Sequence, residues 1–178
     1  MKIFEQQPRS GERVQPTAHA VGRPQEMQQS PGGAKEDDRR KMDYLLDTNA
    51  CIALINGEPA SVRARLRKAA AAGGRALVSS VAIFELWYGV SKSARQEFNR
   101  KRLETFLSGP VTTLAFDDAD AEIAGTIRAA LEAAGKPIGT YDLLMAGQAL
   151  RHNLTLVTAN VSEFSRVRGL GWHDWGKS

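Results

Sequence analysis

The chain of 178 residues lacks several features that define whole classes of protein. Its one cysteine, Cys51, allows neither an intrachain disulfide nor a cysteine-rich metal site, and a reducing cytoplasm fits this composition best. No apolar run approaches the ~20 residues that span a membrane. Residues 1–7 lack the apolar core of a secretory signal. These absences predict a cytoplasmic protein without a membrane segment.

Motifs of several common enzyme classes are also missing. There is no Gly-rich phosphate loop of either standard spacing. The three histidines, His19, His152 and His173, are scattered, and no Ser/His/Asp arrangement is evident. The net charge of +4 permits a nucleic-acid partner but does not argue for one.

Two parts of the chain differ in composition. Residues 1–41 hold four of the seven prolines and have no helical or strand period, so we predict a disordered extension. Residues 42–178 are long enough for one domain with its own core. Because Met42 directly precedes the first predicted strand, one hypothesis is that the natural protein begins there. The alternative is a flexible tail that folds on a partner.

Predicted strands alternate with predicted helices from Met42 onward. The strands are 44–46, 76–79, 111–114 and 155–157. The helices are 50–55, 61–72, 81–89 with Ser80 as N-cap, 94–107, 117–134 with Asp117 as cap, and 142–152. The tail 168–178 is predicted to be irregular. This order predicts an α/β domain with a mainly parallel central sheet flanked by helices on both faces.

Polar side chains fall where the predicted strands end or where the following helices begin. Asp47 closes the first strand, and Glu85 lies in an apolar run after the second. Asp142 begins the next-to-last helix, and Asn160 and Glu163 follow the last strand. Right-handed crossovers place these positions at one edge of the sheet, where ligands bind in such folds.

The acids at this edge lack local partners. No Lys or Arg lies within four residues of Asp47, Glu85 or Asp142. A buried charge without a partner is costly, and converging carboxylates repel one another. A divalent cation removes both costs. Ligation by oxygen alone indicates Mg²⁺ or Mn²⁺ rather than Zn²⁺.

Each acid also has a purely structural interpretation. Asp47 can cap the helix that follows it, and Asp142 can be a first-turn acid favoured by the helix dipole. Glu85 can belong to an ion pair, and Glu163 can be a surface acid near Arg166. Their joint placement favours a metal site, because independent structural acids need not share one edge.

Four stretches follow one another in a recognisable order. They are residues 45–49 (LLDTN), the embedded Glu85, residues 137–142 (PIGTYD) and residues 158–164 (TANVSEF). Together they resemble the PIN-domain ribonucleases, and within these the VapC toxins of bacterial type II toxin–antitoxin systems. The resemblance runs from Met42 to Trp175 and leaves out residues 1–41.

This resemblance implies a toxin that is a Mg²⁺- or Mn²⁺-dependent endoribonuclease. Asp47, Glu85 and Asp142 would be its core acids, with Asp47 and Asp142 the firmest metal ligands and Glu163 a further catalytic acid. Many relatives have Asp where this chain has Asn160, so a second metal ion stays open. The motifs around Asp142 and Glu163 resemble the branch that cuts initiator tRNA in its anticodon loop.

The mechanism expected on this basis is metal-assisted phosphodiester hydrolysis, in which Glu85 orients the attacking water or accepts its proton. The residues expected to hold the ligands in place are Thr48, Asn49, Ser80 and Asn160. A basic rim for RNA is predicted at Arg95, Arg100, Lys101 and Arg102, with a solvated helix face as the alternative.

The resemblance also implies partners: a cognate VapB-type antitoxin, a second copy in a homodimer, and operator DNA bound only through the antitoxin. Two other functions remain open. The chain can be a PIN-like binding module that represses an operator together with its antitoxin. It can also be a metal-dependent phosphohydrolase that acts on DNA or small phosphates, because a fold does not fix a substrate.

Overall fold

Five short parallel strands form the centre of the computed structural model, which describes residues 42–177. The strands are β1 (Tyr44–Leu46), β2 (Ala76–Ser79), β3 (Thr112–Leu114), β4 (Thr155–Val157) and β5 (Trp172–His173). Their order is β3-β2-β1-β4-β5, so β1 lies in the middle, between β2 and β4. The predicted parallel sheet is confirmed, and the predicted extension 1–41 lies outside the described residues.

Helices cover both faces of this sheet. They are α1 (Thr48–Asn56), α2 (Ala60–Ala71), α3 (Ser80–Lys92), α4 (Gln96–Leu107), α5 (Asp118–Ala133), α6 (Thr140–Arg151) and α7 (Val161–Phe164). Successive strand residues point to opposite faces. Leu46 and Val78 therefore join the core beneath α1 to α4, whereas Leu45 and Leu77 join the core beneath α5 to α7. None of the described helices is long and apolar enough to cross a membrane.

The start of α3 differs from the prediction by one residue. Its N-cap is Ser79, whose hydroxyl oxygen accepts the Val81 N–H at 3.0 Å. Ser80 is already helical, and its hydroxyl oxygen accepts the Phe116 N–H at 3.0 Å. The predicted cap at Ser80 is therefore wrong, because the second of two adjacent serines is engaged with the segment that follows β3.

The C-terminal tail holds a strand where we predicted irregular chain. Leu156 donates its N–H to Gly171 O at 2.9 Å, and Thr158 donates to His173 O at 3.0 Å. These bonds align β5 with β4, yet a strand of two residues has no period to detect in a sequence. The short α7 was likewise not predicted. The ends of the other helices and strands differ from the predicted ends by three residues or fewer.

Helix α6 is fixed tightly against α5. A Cβ added at Gly147 would meet Ala124 at 2.8 Å, so only glycine allows this approach. The fully buried Asp120 of α5 accepts hydrogen bonds from Gln148 at 3.0 Å and from Arg151 at 2.9 Å. Burial alone raises the pKa of Asp120, but the hydrogen bonds to its carboxylate outweigh burial and lower it. This packing sets the position of the start of α6 at the sheet edge.

Candidate active site

Asp47 stands where the central strand β1 ends and α1 begins. Its side chain is 2% exposed, and its Oδ1 accepts the Ala50 N–H at 2.6 Å. The predicted capping role is therefore confirmed. Burial raises the pKa of Asp47, although hydrogen bonds from the Thr158 hydroxyl and the backbone favour the charged form, and the Glu85 charge raises the pKa further. A cap occupies one carboxylate oxygen, so capping and metal binding are compatible.

Glu85 lies on α3 and reaches the start of α1. The Thr48 hydroxyl donates a hydrogen bond to Glu85 Oε2. This bond links α1, which follows β1, to α3, which follows β2. Among residues 42–177, no Lys or Arg is within ion-pair distance of Asp47, Glu85 or Asp142. The structural ion pair considered for Glu85 is therefore absent from this part of the chain.

Asp142 is partly buried in the first turn of α6. Its Oδ2 accepts a hydrogen bond from Asn160 Nδ2 at 2.7 Å. Burial raises the pKa of Asp142 to about 6, and the negative charges of Glu163 and Asp47 add to the rise while the Asn160 bond opposes it. The charge of Asp47 therefore affects the pKa of Asp142, which agrees with the predicted placement of both residues at one edge of the sheet.

Glu163 holds the loop that leads into α6. Its Oε2 accepts the Gly139 N–H at 2.7 Å, and this bond is the main reason that the pKa of Glu163 is lowered. Arg166 donates to the Pro137 carbonyl at 2.9 Å, so both side chains fasten the segment before Asp142. In this arrangement Glu163 positions the loop, and its catalytic role stays a prediction.

The residues expected to support the ligands divide into two groups. Thr48 and Asn160 each contact one of the acids directly. Asn49 has an exposed side chain and acts on Asp47 through its backbone N–H, whereas Ser80 bonds to the backbone of Phe116.

Thr158 is a site residue that the sequence reasoning missed. It is buried directly after β4, its hydroxyl hydrogen-bonds to Asp47, and its hydroxyl oxygen accepts the Asn160 N–H at 2.8 Å. Thr158 therefore links the acid at the end of β1 to the amide that holds Asp142. The available signal was a polar residue at the end of a buried strand.

The chemistry of the donors fits Mg²⁺ or Mn²⁺. Asp47 and Asp142 are unpaired with cations among the described residues. Burial opposes the ionisation of both, and so do the negative charge of Glu85 at Asp47 and the charges of Glu163 and Asp47 at Asp142. Carboxylate oxygens of this kind are the ligands that these ions prefer. However, no three acid, His or Cys side chains within residues 42–177 lie close enough to form a ready metal cluster. The donor set is suitable by charge and type but is not assembled into a cage.

The predicted basic rim on α4 has other partners. Arg100 lies 4.0 Å from Glu104, and Lys101 lies 3.5 Å from Glu97, each one helical turn away. Arg102 donates to the Ile55 carbonyl at the end of α1. These contacts favour the solvated helix face for Arg100 and Lys101 and a structural role for Arg102.

The match to known proteins covers most of the described domain. The PIN domain family matches residues 44–170. The tRNA(fMet)-specific endonuclease VapC of Shigella flexneri is 42% identical over 134 residues, which cover 75% of this chain and 98% of that protein.

Solved structures agree with this assignment. A chain in the crystal structure of VapBC2 from Rickettsia felis bound to a promoter DNA fragment matches with a TM-score of 0.71 and 39% identity, over 75% of this chain and 99% of that chain. A chain of VapBC-1 from nontypeable Haemophilus influenzae matches with a TM-score of 0.68 and 32% identity, over 76% of this chain and 100% of that chain. The chain therefore belongs to the PIN domain family and, within it, to the VapC proteins.

Proposed function

We propose that this protein is a toxin endoribonuclease that cleaves structured RNA and so inhibits translation until an antitoxin neutralises it. The observation that carries the proposal is the pair Asp47 and Asp142, two carboxylates at the carboxyl edge of the sheet whose ionisation is opposed and for which no described Lys or Arg compensates. A relative 42% identical is described as specific for tRNA(fMet), which supports initiator tRNA as the substrate. The proposed place of the cut is its anticodon loop.

The proposed reaction is metal-assisted hydrolysis of a phosphodiester bond. Asp47, Asp142 and Glu85 would hold Mg²⁺ or Mn²⁺, an ion that polarises a phosphate oxygen and lowers the pKa of water. Glu85, steadied by the Thr48 hydroxyl, accepts the proton of the attacking water. Asn160 keeps the Asp142 carboxylate oriented through its 2.7 Å hydrogen bond. Cleavage leaves a 5′-phosphate and a 3′-hydroxyl.

The proposed partners are a VapB-type antitoxin and a second copy of the chain. Three solved structures with chains 32–39% identical to this one are of VapBC complexes, and two of them are bound to DNA. A groove of about 210 Å³ between α1, α3 and α4 is lined by Ile52, Leu103 and Glu85 and is suited to an antitoxin segment. An antitoxin seated there would reach the acidic edge at Glu85.

The test is cleavage of tRNA by the purified chain, with Mg²⁺ or Mn²⁺ supplied or removed by EDTA and the cut ends mapped by sequencing. We expect Asp47→Asn and Asp142→Asn to abolish cleavage, whereas Asp118→Asn, an exposed acid in the first turn of α5, retains it. Undiminished cleavage by both site variants, or cleavage in EDTA, would refute the proposal.

A second role is favoured by the DNA-bound relatives: repression of an operator by the complex of this chain with its antitoxin. This role does not require the acids to be intact. A gel-shift assay with the Asp47→Asn chain and its antitoxin separates the two roles, because repression survives the substitution and cleavage does not.

A further inference from the structure

Three aromatic side chains form an exposed patch beside the acidic edge. Phe84, Tyr88 and Tyr141 are 54%, 57% and 43% exposed. Phe84 and Tyr88 are four residues apart on α3 and so share one face of that helix. Their ring centroids are 6.5 Å apart, and the Phe84 ring lies 5.6 Å from that of Tyr141 in the first turn of α6. The three rings therefore form one continuous surface, which we call the aromatic patch.

Two residues of the aromatic patch are chain neighbours of site acids. Phe84 precedes Glu85 on α3, and Tyr141 precedes Asp142 on α6. None of the three rings belongs to either buried core of the described domain. Because about half of each ring is left exposed, packing within residues 42–177 does not account for aromatic residues at all three positions.

RNA that binds at the acidic edge needs a source of affinity other than charge. Carboxylates repel the phosphate backbone of RNA, and three of the four cations expected to offset this repulsion have partners within the domain. They are Arg100 with Glu104, Lys101 with Glu97, and Arg102 with the Ile55 carbonyl. Stacking of bases on aromatic rings contributes affinity without depending on net charge, and every base has a suitable face.

A cation also accompanies the aromatic patch. Lys92 Nζ lies 5.2 Å from the centre of the Tyr88 ring, at the end of the patch provided by α3. Single-strand binding surfaces combine aromatic rings with positive charge that follows the backbone. Tyr88 with Lys92 supplies both elements at one point.

We propose that the aromatic patch is a platform on which bases next to the scissile phosphate of single-stranded RNA stack. The inference rests on the proposed ribonuclease function and adds to it a specificity surface outside the acids. Bases held on Phe84, Tyr88 and Tyr141 would place the intervening phosphate near Glu85 and Asp142.

A second copy of the chain is a weaker fit to the aromatic patch alone. The exposed parts of three half-exposed rings amount to roughly 300 Å², given the 150–250 Å² that such side chains bury in full. A stable protein interface buries about 800 Å² on each partner. The three rings alone therefore fall short of the area of a stable protein interface, and an interface at this place would also need the residues around them.

The direct test compares two strands of equal length and charge, a short single-stranded RNA and its abasic counterpart. Binding of each labelled strand to the full chain is measured by fluorescence anisotropy in EDTA, which prevents hydrolysis. We expect Phe84→Ala and Tyr88→Ala each to weaken binding of the base-containing strand by roughly tenfold, with no change for the abasic strand. Tyr88→Phe should bind like the wild type.

The matched control is Phe98→Ala on α4, which removes an equally exposed ring (55%) outside the aromatic patch. It should leave both affinities unchanged. Equal losses for both strands, or no loss in the Phe84 and Tyr88 variants, would overturn the proposal. It is also overturned if these variants only shift the oligomeric state in sedimentation, since the patch would then be a subunit contact.

Cleavage in Mg²⁺ by the same preparations separates this inference from the proposed function. If the wild-type chain cuts RNA and the ring variants bind both strands normally, only the platform is wrong. If the wild-type chain cuts no RNA with either metal ion, the ribonuclease function fails and the platform fails with it. If the platform is right, Phe84→Ala raises KM more than it lowers kcat.

Discussion

Asn160 donates a hydrogen bond of 2.7 Å from its side-chain amide to Asp142 Oδ2. Because the amide nitrogen faces the carboxylate, the amide oxygen is turned away and lies 3.3 Å from the Ser162 hydroxyl. Asn160 therefore acts in this arrangement as a donor that favours the ionised form of Asp142. Asn160 was predicted to support the ligands, and its hydrogen bond bears on the charge of Asp142, one of the predicted metal ligands.

The first prediction concerns the loss of this donor. In Asn160→Ala, the pKa of Asp142 should rise above its value of about 6, because the bond that favours the carboxylate is gone. The acidic limb of the pH profile for RNA cleavage should then move to higher pH. Ser162→Ala is the control, since it removes only the contact to the amide oxygen. An unchanged or lowered acidic limb in Asn160→Ala would contradict the assignment.

The second prediction concerns stability against pH without metal ions. The pKa of Asp142 is raised from 3.8 to about 6, so the folded protein binds the proton more tightly than the unfolded chain does. Its contribution is fully present below pH 3.8 and is lost as the pH rises to about 6. The pKa of Asp47 is also raised, so Asp47 acts in the same direction. In EDTA, the urea concentration at the unfolding midpoint should decrease as the pH is raised from about 4.5 to 6.

Two comparisons check this origin of the pH dependence. Asp142→Asn should flatten the fall, because the amide does not titrate. Adding Mn²⁺ at pH 7 should raise the urea midpoint of the wild type more than that of Asp142→Asn, since binding to the folded state stabilises it. If the urea midpoint of the wild type instead increases with pH over the same range in EDTA, the predicted direction of the pH dependence is wrong.

The sheet and the acids could be predicted because both follow from local pattern. Short apolar runs that end in a polar residue marked β1, β2 and β4, and parallel topology then required Asp47 and Asp142 to meet at one edge. Strand β5 was missed because two residues carry no alternation, and its place is fixed by bonds from β4.

The contacts between side chains at the edge could not be predicted in the same way. The bond from Gly139 to Glu163 depends on the fold of a loop 24 residues away in sequence. Burial of Asp120 was equally hidden, because a first-turn helix acid is ordinarily a surface residue that favours the dipole. Such contacts depend on how helices and strands pack against one another. The residue pattern of a single helix or strand carries no information about that packing.

The third prediction tests the contact between α5 and α6. Gly147→Ala places a Cβ 2.8 Å from the backbone nitrogen of Ala124, so the helices must separate. We expect a loss of about 1–3 kcal/mol in the free energy of unfolding, measured with urea. The control is Gly125→Ala on α5, where no atom lies within 4 Å of the new Cβ. The control should gain up to about 1 kcal/mol from helix propensity. A Gly147→Ala protein as stable as the wild type would show that the contact is looser than described.

The fourth prediction concerns the buried carboxylate of Asp120. Arg151→Ala removes the guanidinium that donates to Asp120 at 2.9 Å, which leaves Gln148 and the His152 ring, 3.3 Å from Asp120 Oδ1, beside the carboxylate. We expect a loss of about 2 kcal/mol in the free energy of unfolding at pH 7, because a buried charge is left undercompensated. Arg128→Ala breaks an exposed pair with Glu132 of similar length, 2.8 Å, and should cost under about 0.5 kcal/mol. If the two arginine variants unfold at the same urea concentration, the buried pair contributes no more to stability than a surface pair, which would contradict the prediction.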